Sequence, residues 1–222
     1  YNYARSFSIA VSKPFLGINH IESHLFSCFI GDESVEFPFI SLVVSGGHTI
    51  LFHVKGYNDY TVLGSTQDDA AGEAFDKAAK MLGLDYPGGP LIDKFAKKGN
   101  ENFHKFPVSS VKENIYDFSF SGIKTSLLYF LRKEFNSAPA SQIPLSDICA
   151  SYQKAVVTSL VERTILASVN LGIKSIAVSG GVSANSKLRS EFMKYTKEGY
   201  RISFPEKIYS TDNAAMIGYT AY

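Results

Sequence analysis

Two histidines four residues apart, in His20-Ile21-Glu22-Ser23-His24, stand at the start of a stretch that reads as a helix. A helix turns once in about 3.6 residues, so side chains at i and i+4 share one face and both rings can reach one ion. Neutral imidazole is the commonest side-chain ligand of transition metals, but two ligands do not close a site. The candidates for a third are His48, Glu73, Asp76 and Asp212. Each of these residues also has a plainer role. The histidines can simply decorate a helix surface. Asp212 sits at the head of the last helical stretch, where aspartate caps free N–H groups. Glu73 and Asp76 precede Lys77 and Lys80 by four residues, the spacing of ion pairs on a solvated helix face. One tempting assignment is excluded: a zinc protease needs HExxH, whereas Glu22 lies two residues past His20 and about 200° around the helix from it.

A second kind of chemistry is written twice. Ser45-Gly46-Gly47 and Ser179-Gly180-Gly181 each follow an apolar strand. Glycines at such a turn remove Cβ atoms and let backbone N–H groups close on phosphate oxygens or a sugar edge. One such turn is an ordinary hairpin or strand-helix connection; two at the carboxyl ends of apolar strands point to a nucleotide cleft.

The elements that must position these groups follow from periodicity. The 222 residues are 45% hydrophobic and 19% charged with a net charge of +1, a globular composition with no bulk electrostatic signal for nucleic acid or membrane. Cys28 and Cys149 share no CxxC spacing, which suits a reducing, cytosolic setting, and no apolar run approaches the roughly 18 residues of a membrane span. The reading opens with a helix over 4–11, a short strand over 14–18 and the histidine helix to Gly31. A three-strand meander follows at 37–44, 49–54 and 60–64. Then come an alanine-rich helix over 68–82 capped by Ser65 or Thr66, a short helix carrying Asp93, a run over 118–125 leading into a helix that ends near Phe135, a linker over 136–144 and a long helix over 145–171. Strand 175–178, helix 186–198, strand 200–204 and a last helix complete the chain. Tyr1 is not an initiator methionine and both ends fall inside helical patterns, so a piece of a longer protein is expected. A meander followed by helices and then strand-turn-helix-strand-helix is the order of half an actin-like, ribonuclease H-like α/β fold.

Several motifs together resemble one family. They are His20 to His24, Val43-Val44-Ser45-Gly46-Gly47-His48-Thr49, Asp68 to Lys77, Gly83 to Pro90, Phe118 to Thr125, Ser179 to Asn185, and Thr211-Asp212-Asn213. In this order they strongly resemble the bacterial TsaD family of tRNA N6-adenosine threonylcarbamoyltransferases, once called glycoproteases. The resemblance implies an actin-like (ASKHA) fold, here one lobe plus part of the other with the N-terminal portion missing. Residues 1–35 would end the first lobe with the metal helix, and 36–222 would form the second with a helical insertion at about 65–135. It implies transfer of threonylcarbamoyl from threonylcarbamoyl-adenylate to N6 of adenosine 37 in tRNAs reading codons that begin with A. It puts His20, His24 and Asp212 on an iron or other divalent metal. It puts Val43, Val44, Ser45, Gly46, Gly47, Asp76, Gly89, Asp93 and Asn185 around the adenylate, and a general base upstream of Tyr1.

Family members work in the cytoplasm with a paralogous actin-like subunit of TsaB type and a small ATPase of TsaE type, and residues 7–15 are expected at the partner surface. Lys94, Lys97, Lys98, Lys105, Lys187, Arg189, Lys194 and Lys197 are the basic candidates for tRNA. Where the family usually has Gly, this chain has Ser23, expected as a small change on the helix surface. The rival functions are an actin-like ATPase or sugar kinase, and a non-catalytic nucleotide-binding scaffold.

Overall fold

All six residues of β1, Phe39–Val44, are buried, so this strand needs cover on both faces and neighbours on both edges. The computed structural model, which describes residues 1–31, 35–108, 111, 114–135 and 142–222, supplies both. On one edge β1 pairs antiparallel with β2 (Thr49–Gly56), which pairs antiparallel with β3 (Asp59–Ser65). On the other it runs parallel to β4 (Ser175–Ser179), which is parallel to β5 (Arg201–Ser203). The order β3-β2-β1-β4-β5 is the ribonuclease H-like sheet expected from the sequence.

Alternation along β1 divides the core. Ile40, Leu42 and Val44 join a large cluster beneath α3 (Ala71–Met81), α4 (Gly88–Ala96), α5 (Ser121–Phe135), α6 (Leu145–Leu171) and α7 (Ser186–Lys194). Phe39 and Val43 enter a smaller one against α2 (His20–Phe26). The last helix, α8 (Ala214–Ala221), packs on α2. Helix α6 is buried over much of its circumference and ends at Gly172 in the left-handed region, with the Ile173 N–H returning to the Ser168 carbonyl. Cys28 and Cys149 are buried and unbridged, and burial pushes the Cys149 thiol up to about 12. No helix among the described residues is long and apolar enough to cross a membrane.

Several boundaries differ from expectation for physical reasons. Residues 14–18 form no strand: they have no partner strand among the described residues, and Leu16 is exposed. The preceding helix, α1 (Asn2–Ala10), buries no residue. Helix α2 stops at Phe26 and tightens into a 3-10 turn, Ser27–Phe29. The strand expected from 37 begins at Phe39, after a proline that has no N–H for the ladder. Helix α7 ends at Lys194 and passes into a 3-10 turn. The expected linker over 136–144 lies outside the described residues at 136–141.

Helix α3 starts at Ala71, not Asp68, and neither Ser65 nor Thr66 caps it. Its free N–H groups go to the sheet: Ala71 N–H donates to Thr49 Oγ1 at 2.9 Å and Gly72 N–H to the Ser45 carbonyl at 3.2 Å. Asp68 is thereby free to hold the start of α5. It accepts from the Phe120 N–H (2.8 Å), the Ser121 N–H (3.2 Å) and the Ser119 and Ser121 hydroxyls (2.6 Å each). Partial burial raises the Asp68 carboxyl, but these donors together outweigh it and hold its pKa below the usual range. Asp68→Ala is expected to cost about 1–2 kcal/mol, seen as a lower urea midpoint. A folded pKa below the unfolded one means this contribution is present above about pH 4 and is lost as pH falls through the folded value, so the wild-type and variant midpoints should converge in acid. Equal midpoints at neutral pH would refute the role.

Candidate metal centre and nucleotide cleft

Asn19 begins the site. Its Oδ1 accepts from the N–H groups of Ile21 (2.9 Å) and Glu22 (3.2 Å), fixing where α2 starts and which way its first turn faces. His20 and His24 then lie one turn apart with ring centroids 4.8 Å from each other. Both Nε2 atoms converge on Asp212 Oδ1, His24 at 3.0 Å and His20 at 3.4 Å. Asp212 is not the helix cap. Asn213 takes that role, its Oδ1 accepting from the Met216 N–H at 2.9 Å, which leaves the Asp212 carboxylate to face α2.

Among the described residues, this is the set of three ligand atoms, all within 4.8 Å of one another, that could hold an ion. Two imidazole nitrogens and a carboxylate oxygen suit a divalent transition metal. His24 is fully buried; burial lowers its pKa, and the proximity of His20 adds to this against the opposing pull of Asp212, so the ring is held in the neutral form that ligates. Its Nδ1 is buried with no hydrogen-bond partner among the described residues, so ring chemistry is directed through Nε2. The donor set fits a metal.

The other third-ligand candidates go elsewhere. His48 is exposed in the hairpin, its N–H donating to Ser45 Oγ at 3.2 Å. Glu73 pairs with Lys77 at 2.8 Å, as its spacing predicts. Asp76 does not turn to Lys80 but accepts from the Gly88 N–H at 2.8 Å, at the head of α4, where an acidic group also complements the helix dipole. Glu22 hydrogen-bonds Tyr60, whose hydroxyl is raised by burial and then by that charge, well away from protease geometry. Ser23 is not on the surface: it is fully buried and its hydroxyl donates to the Asn19 carbonyl at 2.9 Å.

The two glycine turns meet. Val43 lies opposite Ser179 in the parallel pair, so both Ser-Gly-Gly turns leave the sheet side by side. Gly180 has φ +87° and ψ 165°, and a Cβ there would fall 2.4 Å from the Val44 carbonyl oxygen. A Cβ on Gly72 would fall 2.5 Å from the Ser45 carbonyl oxygen, so α3 starts directly on the first turn.

Above them opens a cleft of about 570 Å³ whose lining includes Ser45, Gly46, Asp76, Gly89, Asp93, Asn185 and Asp212. Seven of the positions singled out from the sequence are thus on one wall system, and the metal centre opens into it through Asp212. Val43 and Val44 are not: their side chains fill the two cores. Gly47 and His20 lie outside the lining as well. Sequence reasoning did not single out Phe75, Tyr86, Val182 and Thr211 in the lining, although all four sit inside the motifs already noted. It also missed Gln153, a buried polar residue in the same helical stripe as Cys149, Val156 and Leu160.

Several of the basic candidates have structural occupations. Lys97 pairs with Asp93, Lys187 with Glu101 and Glu191, and Lys194 with Glu191. Arg189 stacks 4.6 Å from the Phe204 ring centroid and donates to the Ser183 and Pro205 carbonyls. Lys94, Lys98, Lys105 and Lys197 have no ion-pair partner among the described residues.

A family model described as TsaD: tRNA N6-adenosine threonylcarbamoyltransferase matches residues 1–219. The chain belongs to that family. Curated TsaD relatives of the same description include one from Clostridium beijerinckii, 48% identical over 221 residues, covering 99% of this chain and 65% of its own length. Another, from Endomicrobium trichonymphae, is 49% identical over 220 residues, covering 99% and 63%. The chain therefore spans slightly under two thirds of the length of these TsaD relatives. Among solved structures, HypF of T. kodakarensis superposes with a TM-score of 0.69 at 16% identity, covering 99% of this chain and 38% of that one. Component A of the (R)-2-hydroxyglutaryl-CoA dehydratase of Acidaminococcus fermentans gives 0.57 at 15% identity, covering 100% and 75%. At such identities these likenesses speak for the TsaD fold alone.

Proposed function

We propose that the protein transfers the threonylcarbamoyl group from threonylcarbamoyl-adenylate to N6 of adenosine 37 in tRNAs that read codons beginning with A, releasing AMP. The observation that carries this is the convergence of His20, His24 and Asp212 at the edge of a cleft floored by two glycine turns. His20, His24 and Asp212 would hold a divalent ion, iron in this reading, which would supply Lewis acidity for the acyl transfer. The turn at Ser45 and Gly46 lets backbone close on the phosphate, while Asp76, Gly89, Asp93 and Asn185 bind the nucleoside. The adenosine amine forms a C–N bond to the carbamoyl carbon and gives up one proton to a general base, expected upstream of Tyr1, while the mixed-anhydride C–O bond breaks and AMP leaves with the electron pair. Holding the donor between metal ligands and glycine turns orients that carbon for attack and stabilises the leaving phosphate.

In this reading residues 1–35 end one actin-like lobe and 36–222 form the other, with the insertion at about 65–135. The exposed apolar side chains Phe7, Ile9, Val11 and Phe15 suit a TsaB-type subunit, with a TsaE-type ATPase completing a cytoplasmic assembly. An ATPase or sugar kinase would need carboxylates around Mg²⁺ where this site has paired imidazoles, and a scaffold has no use for three converging ligands. The test is to supply the full-length protein and its partners with threonylcarbamoyl-adenylate and unmodified tRNA. Modified tRNA and AMP are expected in equal amounts; release of γ-phosphate from ATP without tRNA modification would favour the kinase-type reading instead.

A further inference from the structure

Asp212 reaches the two imidazoles from an exposed segment. Between β5, which ends at Ser203, and α8, which starts at Ala214, the chain makes a 3-10 turn, Lys207–Tyr209, that buries no residue. The later end of this segment is held where α8 packs on α2. The earlier end is held from α7, by Phe192 edge-on to Phe204 at 6.2 Å and by the half-buried Arg189, whose guanidinium lies 4.6 Å from the Phe204 ring centroid. Arg189 Nη2 donates to the Pro205 carbonyl at 3.0 Å and Nε to the Ser183 carbonyl at 2.8 Å. Ser183 belongs to the 3-10 turn Gly181–Ala184, which completes the second glycine turn. One planar fork thus bridges the glycine turn and the segment that carries Asp212. The two run side by side, since a Cβ on Gly181 would lie 3.8 Å from Thr211 Cγ2. From Pro205 the hold passes along the segment. The Glu206 carbonyl accepts from the Tyr209 N–H (2.8 Å) and the Ser210 hydroxyl (3.3 Å), and the Asn213 amide donates to the Tyr209 (3.2 Å) and Thr211 (2.7 Å) carbonyls.

We propose that Arg189 is a positioning residue for the metal centre: it locks the Asp212 segment to the second glycine turn and so sets where the third ligand meets His20 and His24. The Asp212 side chain is 75% exposed, so little packs around the carboxylate itself and its place depends on its backbone. Without the guanidinium two carbonyls lose their donor and the Pro205 end of the segment loses its tie to the turn. Groups that orient metal ligands without touching the ion are worth about 10- to 100-fold in metal affinity. The inference rests on the proposed metal centre and adds what holds its third ligand in place.

Titration of the full-length, metal-free protein with cobalt(II), followed by its visible absorption well below the thermal transition, tests it. Arg189→Met should bind cobalt(II) at least about tenfold more weakly than wild type. Arg189→Lys keeps the charge and the apolar stem over Phe204 but not the fork, and it should also bind more weakly. In an Asp212→Ala background the Arg189→Met change should cost less than about a further twofold, because the ligand it positions is gone. Asp68→Ala, which weakens the fold at the start of α5, should leave cobalt(II) affinity at the wild-type value. Wild-type affinity in Arg189→Met, an equal loss in Asp68→Ala, or the full loss again in the Asp212→Ala background would each overturn the inference. Should Arg189→Met not fold, wild-type affinity in Arg189→Lys would overturn it. Failure of the wild-type protein to take up cobalt(II) would remove the proposed metal centre, and this inference with it.

Discussion

Replacing His24 with Ala should empty the metal centre. His24 is fully buried and supplies the shorter contact to Asp212, 3.0 Å against 3.4 Å for His20, so its loss removes the ligand whose position the fold fixes best. Metal content measured on the purified protein should fall by at least about tenfold, since even outer partners of metal ligands are worth 10- to 100-fold in affinity. His20 is 45% exposed in its side chain, so His20→Ala separates ligation from folding. It should lower metal content while leaving the unfolding free energy of the metal-free protein unchanged to within about 0.5 kcal/mol. Asp212→Asn keeps the shape and removes the charge that the ion would neutralise. Full metal content in His24→Ala would show that the three groups meet for some other reason.

The second large effect is on the floor of the cleft. At φ +87° and ψ 165°, Gly180 occupies a region that is essentially closed to other residues, and an added Cβ would lie 2.4 Å from the backbone oxygen of Val44. Backbone of a buried central strand cannot move aside, so Gly180→Ala should cost about 3 kcal/mol or more, a fall of roughly 6–12 °C in Tm for a chain of this size. Gly83 provides the control. It has φ +72°, but a Cβ there meets nothing within 4 Å, so Gly83→Ala carries only the cost of the left-handed backbone, about 1 kcal/mol. Similar losses in the two variants would mean that the close approach of the two strand ends contributes nothing.

The sequence shows local features of this site and hides those made by tertiary contact. The i, i+4 histidines and the paired Ser-Gly-Gly turns are legible because helix period and glycine chemistry act within a few residues. The long helix α6 is readable end to end, since a 27-residue apolar pattern closed by Gly172 leaves few alternatives. Asp212 is harder. On its own it is an ordinary cap, and only the neighbouring Asn213, by taking the cap itself, frees it to meet α2 across 188 residues of chain. The start of α3 is misjudged because its first N–H groups bond Thr49 and Ser45, partners that no local pattern announces. Ser23 looks like a surface position until α8 and the sheet close over α2. Gln153 is written as one amide in an apolar stripe; its partners Asp93 and Asn185 arrive from two other helices.

One measurement bears most directly on the central claim: mass-spectrometric detection of threonylcarbamoylated adenosine in tRNA after incubation with donor adenylate, comparing the full-length wild-type protein with its His20→Ala/His24→Ala variant. Accumulation of the modified nucleoside with wild type, and a fall of at least about a hundredfold with the double variant, is the predicted result. Undiminished modification by a variant that lacks both imidazoles would contradict the account.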